Sequence, residues 1–231
     1  MKIYKNILRW IRFTLIFFFS STILSVVILK WLPVYYTPLM AIRCFEQWNT
    51  GREVKCEHEW VDMPSISTHM PTAVIAAEDA HFLEHSGFDF KEIYKARLEA
   101  IEGGRERGAS TISQQTAKNV FLWPGHSWVR KGLEAYFTVL IENIWGKERI
   151  MEVYLNSIET GDGIYGVQAV SKAHFKTRAS LLNRNQAALI AASLPNPVTK
   201  YDSAHPNAKL KKRQAFVLKE MRHVPAHEWQ Q

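Results

Sequence analysis

Three short stretches of this sequence gather residue types suited to acid–base and anion chemistry. Glu78-Asp79 directly follows six small or apolar residues, TAVIAA, and is followed by Phe82, His85 and Gly87. Burying carboxylates is costly unless something requires them, so an acidic pair there is either a solvated helix end or a working group. Next, Ser110, Thr111, Gln115 and Lys118 lie within GASTISQQTAKN. Thr111 with Gln114 has the form of a capping box. In the helix that would follow, Thr111, Gln115 and Lys118 fall at i, i+4 and i+7, on one face. A hydroxyl, an amide and an ammonium in line suit a phosphate or sugar track, although a polar surface stripe has the same pattern. Third come Arg130, Lys131 and Glu134. Lys131 and Glu134 at i, i+3 are either an ordinary surface pair of ~0.3 kcal/mol or, with Arg130, a pyrophosphate-binding set. Two carboxylates with separate roles recur in enzymes acting at an anomeric carbon.

Such residues need a scaffold, and from Pro71 onward the chain reads as helical, punctuated by Gly and Pro. Pro71 opens a stretch of small helix formers. Helical composition then covers 91–101, and 111–121 after the charged loop GGRERG. The stretch 128–145 carries Leu133, Phe137, Leu140, Ile141 and Ile144 on one side. Further helices are expected at 147–156, 167–175 and 186–194, and a basic one at 208–221. No β-hairpin signal, repeat or low-complexity tract stands out. The expected architecture is all-α, with one helical domain over residues 65–231.

Residues 13–29 contain no charge. As a helix they measure ~26 Å, and extension to residue 32 reaches the ~30 Å hydrocarbon thickness. Trp10 and Trp31 sit where interfacial aromatic residues belong. A cleaved signal peptide has similar basic flanks, but Trp-Leu-Pro-Val-Tyr-Tyr is no small-residue cleavage site. An uncleaved anchor at 13–32 is therefore expected, after a basic cytoplasmic end at 1–12 and before a connector at 33–64. Lys2, Lys5, Arg9 and Arg12 precede the span without any acidic residue, which keeps the N-terminus in the cytoplasm and the rest outside it. Of the net charge of +7, five units belong to those residues and Lys30. A nucleic-acid partner is thus not expected despite the basic balance. Cys44 and Cys56, the only cysteines, stand twelve apart in a disulfide-permitting compartment. A bridge and two separate thiols are both open, while a structural zinc site is not supported.

Taken in order, Glu78-Asp-x-x-Phe-x-x-His-x-Gly, Gly-Ala-Ser-Thr-Ile-Ser-Gln-Gln-x-x-Lys-Asn, Arg-Lys-x-x-Glu134 and Tyr154-Leu-Asn156 with Gly161, Gly163, Tyr165 and Gly166 resemble the motif series of family-51 glycosyltransferases. These are the peptidoglycan glycosyltransferases, found alone or fused to penicillin-binding transpeptidase modules. The resemblance covers roughly residues 65 to 205, including LIAASLPNPVTKYD. No transpeptidase module is expected, since Ser-x-x-Lys and Lys-Thr-Gly are absent. One departure is Ala173-His174-Phe175, where the family usually shows Tyr-Phe.

The resemblance implies a lysozyme-like helical domain that polymerises lipid II, a disaccharide-pentapeptide on undecaprenyl diphosphate, into β-1,4-linked glycan. It implies Glu78 as general base, with Lys118, Arg130 and Lys131 at the diphosphate. Glu134 would orient these cations or hold a divalent ion, Mg2+ or Mn2+; no cofactor is otherwise implied. Ser110, Thr111 and Gln115 would line the donor site, and Asp79, Phe82, His85 and Asn156 would support it. The implied partners are lipid II, the growing glycan, the inner membrane and other cell-wall or division proteins. Residues 121–124 with Trp128, and the basic tail 209–222, are candidate membrane contacts. A lysozyme-like hydrolase or lytic transglycosylase, and a non-catalytic membrane scaffold, are the competing functions.

Overall fold

A 28-residue helix, α1 (Lys2–Leu29), carries the uncharged run and, among the described residues, is the one helix long and apolar enough to cross a membrane. The computed structural model describes residues 2–104, 108–125 and 127–229, so residues 105–107 of the charged loop lie outside it. The first two-thirds of α1 is exposed, whereas Val26 is fully buried against the domain.

The connector is folded. Thr37 caps α2 (Pro38–Asn49), its side chain accepting the Met40 N–H at 3.2 Å. Met40 and Gln47 of that helix are buried. The chain then forms the short strand β1 (Glu57–His58) and enters α3 (His69–Glu78), with Pro71 in the first turn.

The remaining helices follow the pattern of small and apolar residues closely. They are α4 (Phe90–Ile101), α5 (Ile112–Phe121), α6 (Trp128–Ile144), α7 (Lys147–Ser157), α8 (Gly166–Phe175), α9 (Arg184–Ser193) and α10 (Ala208–Glu220). The core turns on α9, whose Ala187, Ala188, Ala191 and Ala192 are fully buried and let α3 and α10 pack closely on it. A second layer packs α5 between α6 and α7, with the Phe121 and Phe137 rings stacked at 4.4 Å. Truncating one of its large buried residues, such as Ile141 or Ile150, to alanine costs roughly 2–5 kcal/mol.

The helical expectation missed a small sheet. Strands β2 (Glu159–Gly161) and β3 (Ile164–Tyr165) form a hairpin around Asp162-Gly163, and β1 pairs in parallel with β3. Asp-Gly is the turn signal for such a hairpin, and Gly163 takes φ +67. Two- and three-residue strands have too short an alternation to read from sequence.

Helix α1 does not hang free. Trp145 donates Nε1–H to the Val26 carbonyl at 2.7 Å, and the Thr22 and Tyr136 hydroxyls meet at 2.8 Å. Arg149 at the start of α7 donates to the Leu29 carbonyl at 2.9 Å and also to that of Leu32, with its guanidinium 5.0 Å above the Trp60 ring. The Leu29 carbonyl at the end of α1 lacks an intrahelical donor, so a cation there satisfies both its hydrogen bond and the helix dipole.

Candidate active site

Glu78 closes α3 and Asp79 caps it, so the acidic pair sits where the helix ends rather than on its flank. Asp79 is buried and binds in two directions: it accepts from His85 Nε2 at 2.9 Å and from the Ile112 N–H at 2.9 Å. His85 Nδ1 in turn accepts the Gly87 N–H at 3.1 Å, which assigns the proton to Nε2. Asp79 thereby ties the Glu78 corner to the amino end of α5, where a carboxylate is favoured by the helix dipole. Phe82 is fully buried beneath this corner, with the Lys147 ammonium 4.5 Å from its ring centre.

Half-buried Glu78 accepts a hydrogen bond from Gln115 Nε2 at 2.9 Å through Oε2. The Gln115 carbonyl oxygen accepts from the fully buried Tyr154 hydroxyl at 3.2 Å, which fixes the amide's orientation. Burial raises the Glu78 pKa; Gln115, Arg213 and Lys118 oppose the rise and Asp79 adds to it. Buried Tyr154 stays neutral, pushed far above the usual phenol range by its surroundings and the two carboxylates.

The thread from Gln115 leads into a cleft of about 1020 Å³, lined among others by Ser110, Gln115, Lys118, Arg130, Lys131 and Glu134. Glu78 is joined to this cleft through Gln115, whose side chain bonds it and lines the wall. Within α6, Glu134 is buried between two cations: Arg130 Nη1 donates to Oε2 at 2.8 Å, and Lys131 Nζ pairs with Oε1. Ser127 caps this helix by accepting the Arg130 N–H at 3.1 Å. Lys118 makes no hydrogen bond or ion pair among the described residues. Burial lowers its pKa, Glu134 opposes this, and Arg130 and Lys131 reinforce it. The result is a concentrated positive field with one carboxylate as spacer. Another wall comes from α2 and the hairpin, where Arg43 Nε lies 3.7 Å from Glu159.

A transglycosylase family model matches residues 46–222. The chain belongs to the transglycosylase family. It is 59% identical over 221 residues to the biosynthetic peptidoglycan transglycosylase of Bacteroides thetaiotaomicron, covering 96% of this chain and 89% of that protein. The protein of the same name from Pseudomonas syringae is 44% identical, with 98% and 96% covered. That from Bdellovibrio bacteriovorus is 51% identical, with 84% and 78% covered.

In this transglycosylase the structure separates residues that the sequence grouped. Thr111 does not line the cleft: its buried hydroxyl caps α5 through the Gln114 N–H at 3.2 Å and meets the Gly87 carbonyl at 2.7 Å. Its apparent alignment with Gln115 and Lys118 is a consequence of helical spacing alone. Asn156 is fully buried and fastens the segment after β1, accepting the Val61 N–H and donating to the Val61 carbonyl, both at 2.9 Å. His174, at the family departure, bonds the Ser203 hydroxyl at 2.7 Å and packs beside Phe175.

Glu134 is placed to orient cations. Both its oxygens are engaged by cations, and no cluster of three metal-ligating side chains occurs among the described residues.

Sequence reasoning placed Tyr154 in the motif series without a role and missed Arg213. Tyr154 is an aromatic in an apolar helix face, which carries no sign of its Gln115 bond. Arg213 lies in a run of basic residues, yet its guanidinium bonds the Ala192 carbonyl at 3.0 Å, stacks on Tyr201 and reaches Glu78 electrostatically. Only the packing of α10 on α9 brings it there.

Proposed function

We propose that this transglycosylase extends peptidoglycan glycan strands from lipid II, with Glu78 as base and the Lys118–Arg130–Lys131 field as the diphosphate site. The observation that carries the proposal is that one helix, α5, presents both Gln115 to Glu78 and Lys118 to the cleft shared with Arg130, Lys131 and Glu134.

A sugar hydroxyl is a weak nucleophile at neutral pH. Glu78 takes the proton from the acceptor 4-hydroxyl as its oxygen attacks C1 of the donor sugar. Gln115 occupies Oε2, which leaves Oε1 for that proton. General-base help of this kind is worth about 10²–10⁴-fold. As the C1–O bond breaks, charge collects on the departing lipid diphosphate. Lys118, Arg130 and Lys131 stabilise that charge, while Glu134 holds two of the cations in position. Attack opposite the leaving group converts an α-linked donor into a β-1,4 product. Ser110 on the cleft wall is suited to hydrogen-bond the donor.

A hydrolase of lysozyme type uses a glutamate but has no need of three clustered cations, so the cleft favours transfer to a sugar.

The anchor supports residence in the inner membrane with the N-terminus in the cytoplasm and the catalytic domain outside, with the span at 13–32 and the domain beginning within 33–64 rather than after it. Both substrates are membrane lipids, so tethering raises their effective concentration. Exposed Trp128 and Val129 at the start of α6 are suited to touch the bilayer. In the tail, Leu210 and Val217 pack inward and the lysines face solvent.

Polymerisation of labelled lipid II in detergent, by the native chain beside Glu78→Gln, tests the assignment. Long glycan from the native protein and a loss of at least ~100-fold in the variant is expected. Equal products from both would overturn Glu78 as base; cleavage of finished strands without consumption of lipid II would favour the hydrolase.

A further inference from the structure

Cys44 and Cys56 take no part in the chemistry above, yet the fold brings them together. Cys44 lies on α2 one turn before Gln47, on the same helix face. Beyond α2 the chain reverses at Gly51, which takes φ +70. The Arg52 N–H then donates to the Gln47 carbonyl at 3.0 Å, and the Lys55 N–H to Gln47 Oε1 at 2.8 Å. The residue after Lys55 is thereby delivered to the helical turn that carries Cys44. From the other side, the Glu57 N–H donates to the Gly163 carbonyl at 2.7 Å, so Cys56 is held between α2 and the hairpin. Both thiols are free in the structure, Cys44 half-buried and Cys56 at the surface, and Cys44 is the side chain that acts most on Cys56. Burial and then the neighbouring Cys44 push the Cys56 thiol up to about 11.

We propose that Cys44 and Cys56 form an intramolecular disulfide that fastens the α2 wall of the cleft. It rests on the extracytoplasmic position of the domain proposed above. The oxidant is a thiol–disulfide exchange partner of that compartment. One cysteine attacks a sulfur of the partner's disulfide, the second displaces the partner, and the partner leaves as a dithiol carrying the two electrons and two protons. The bridge closes residues 44–56 into a loop that includes Gln47, Thr50 and Arg52, all lining the cleft. Arg43, beside Cys44, lines the same wall, so the bond restrains the side of the cleft that faces away from α6.

The test uses the full-length chain in its membrane. Intact cells are treated with a membrane-impermeant maleimide, lysed and labelled again, with and without prior reduction under denaturing conditions. Labelling only after reduction is expected, together with a purified protein lighter by the two hydrogens lost. Reductant should lower its Tm by roughly 5–10 °C, and Cys44→Ser and Cys56→Ser should be indifferent to reductant. Free thiols labelled on intact cells would overturn the bridge while leaving the domain outside. Thiols labelled on lysis without reductant would overturn it by overturning the extracytoplasmic position. Purified reduced protein treated with oxidised glutathione gives an independent arm: only intermolecular or mixed disulfides there would overturn the proposed proximity.

Discussion

Gln115 holds the Glu78 carboxylate at 2.9 Å by an amide whose other end is itself fixed by Tyr154. The order Tyr154, Gln115, Glu78 leaves one carboxylate oxygen in use and the other without a hydrogen bond among the described residues. Gln115→Ala should lower kcat about tenfold or more without a comparable change in KM, because orientation of a base acts mainly in the transition state. Tyr154→Phe should cost less, since it removes one neutral hydrogen bond of roughly 0.5–1.5 kcal/mol. Steady-state kinetics on both variants checks the ranking; a larger loss in Tyr154→Phe would break the proposed order.

The pH dependence follows from two opposite shifts. Burial raises Glu78, so the acid limb of the rate profile should lie above the ordinary glutamate range; burial lowers Lys118, so the basic limb should begin below the ordinary lysine range. Lys118→Arg should move the basic limb to higher pH. Because the folded pKa of Glu78 lies above its unfolded value, its stabilising share is present at low pH and is lost as pH rises through the folded pKa. Glu78→Gln should therefore melt higher than the native chain at neutral pH, with the gap closing below about pH 4. Calorimetry across that range reads it directly.

Glu134→Ala leaves the buried Arg130 guanidinium without its carboxylate. Breaking a buried pair in this way costs roughly 3–5 kcal/mol, and a drop in Tm on the order of 10 °C is expected. Because both oxygens of Glu134 already serve cations, titration with Mg2+ or Mn2+ should not restore the variant's activity. Restoration by either ion would return Glu134 to the role of metal ligand.

Arg149→Ala removes the donor that closes the carboxyl end of α1. Spin labels on α1 and α6 should show a broadened distance distribution in bilayers. Polymerisation in vesicles should fall several-fold, while activity in detergent, where substrate height is undefined, should change little. Arg149→Lys should recover part of the vesicle activity. An unchanged distance distribution would mean that the remaining contacts at Trp145 and Tyr136 suffice.

The helices were legible in the sequence because each carries a full turn or more of apolar spacing and a recognisable start. Ser127, Asn183 and Asn207 all act as caps where the helical patterns begin. The segment 33–64 misled because its prolines and mixed polarity conceal α2, which buries little of its own surface. Within the site, Gln115, Lys118, Arg130, Lys131 and Glu134 were visible as residue types at helical spacing, and Glu78 as half of an acidic pair after an apolar run. What spacing cannot give is which hydroxyl turns inward. Thr111 and Lys118 share a face by count, yet the first is consumed by Gly87 and the second opens on the cleft. Arg213 was hidden for the complementary reason: its relation to Glu78 depends on contacts between helices far apart in the chain.

The seam between the anchor and the helix that bears Glu134 also bears on how substrate is found. A body joined to its membrane span by a slack tether tumbles, and each encounter must discover the right tilt anew. With Trp145 and Arg149 locked to the backbone of α1, tilt and depth are set once, at folding. What is left to chance is drift in the plane and spin about the membrane normal, the same two motions open to a lipid. On the function proposed above, enzyme and lipid then meet as two discs on a surface.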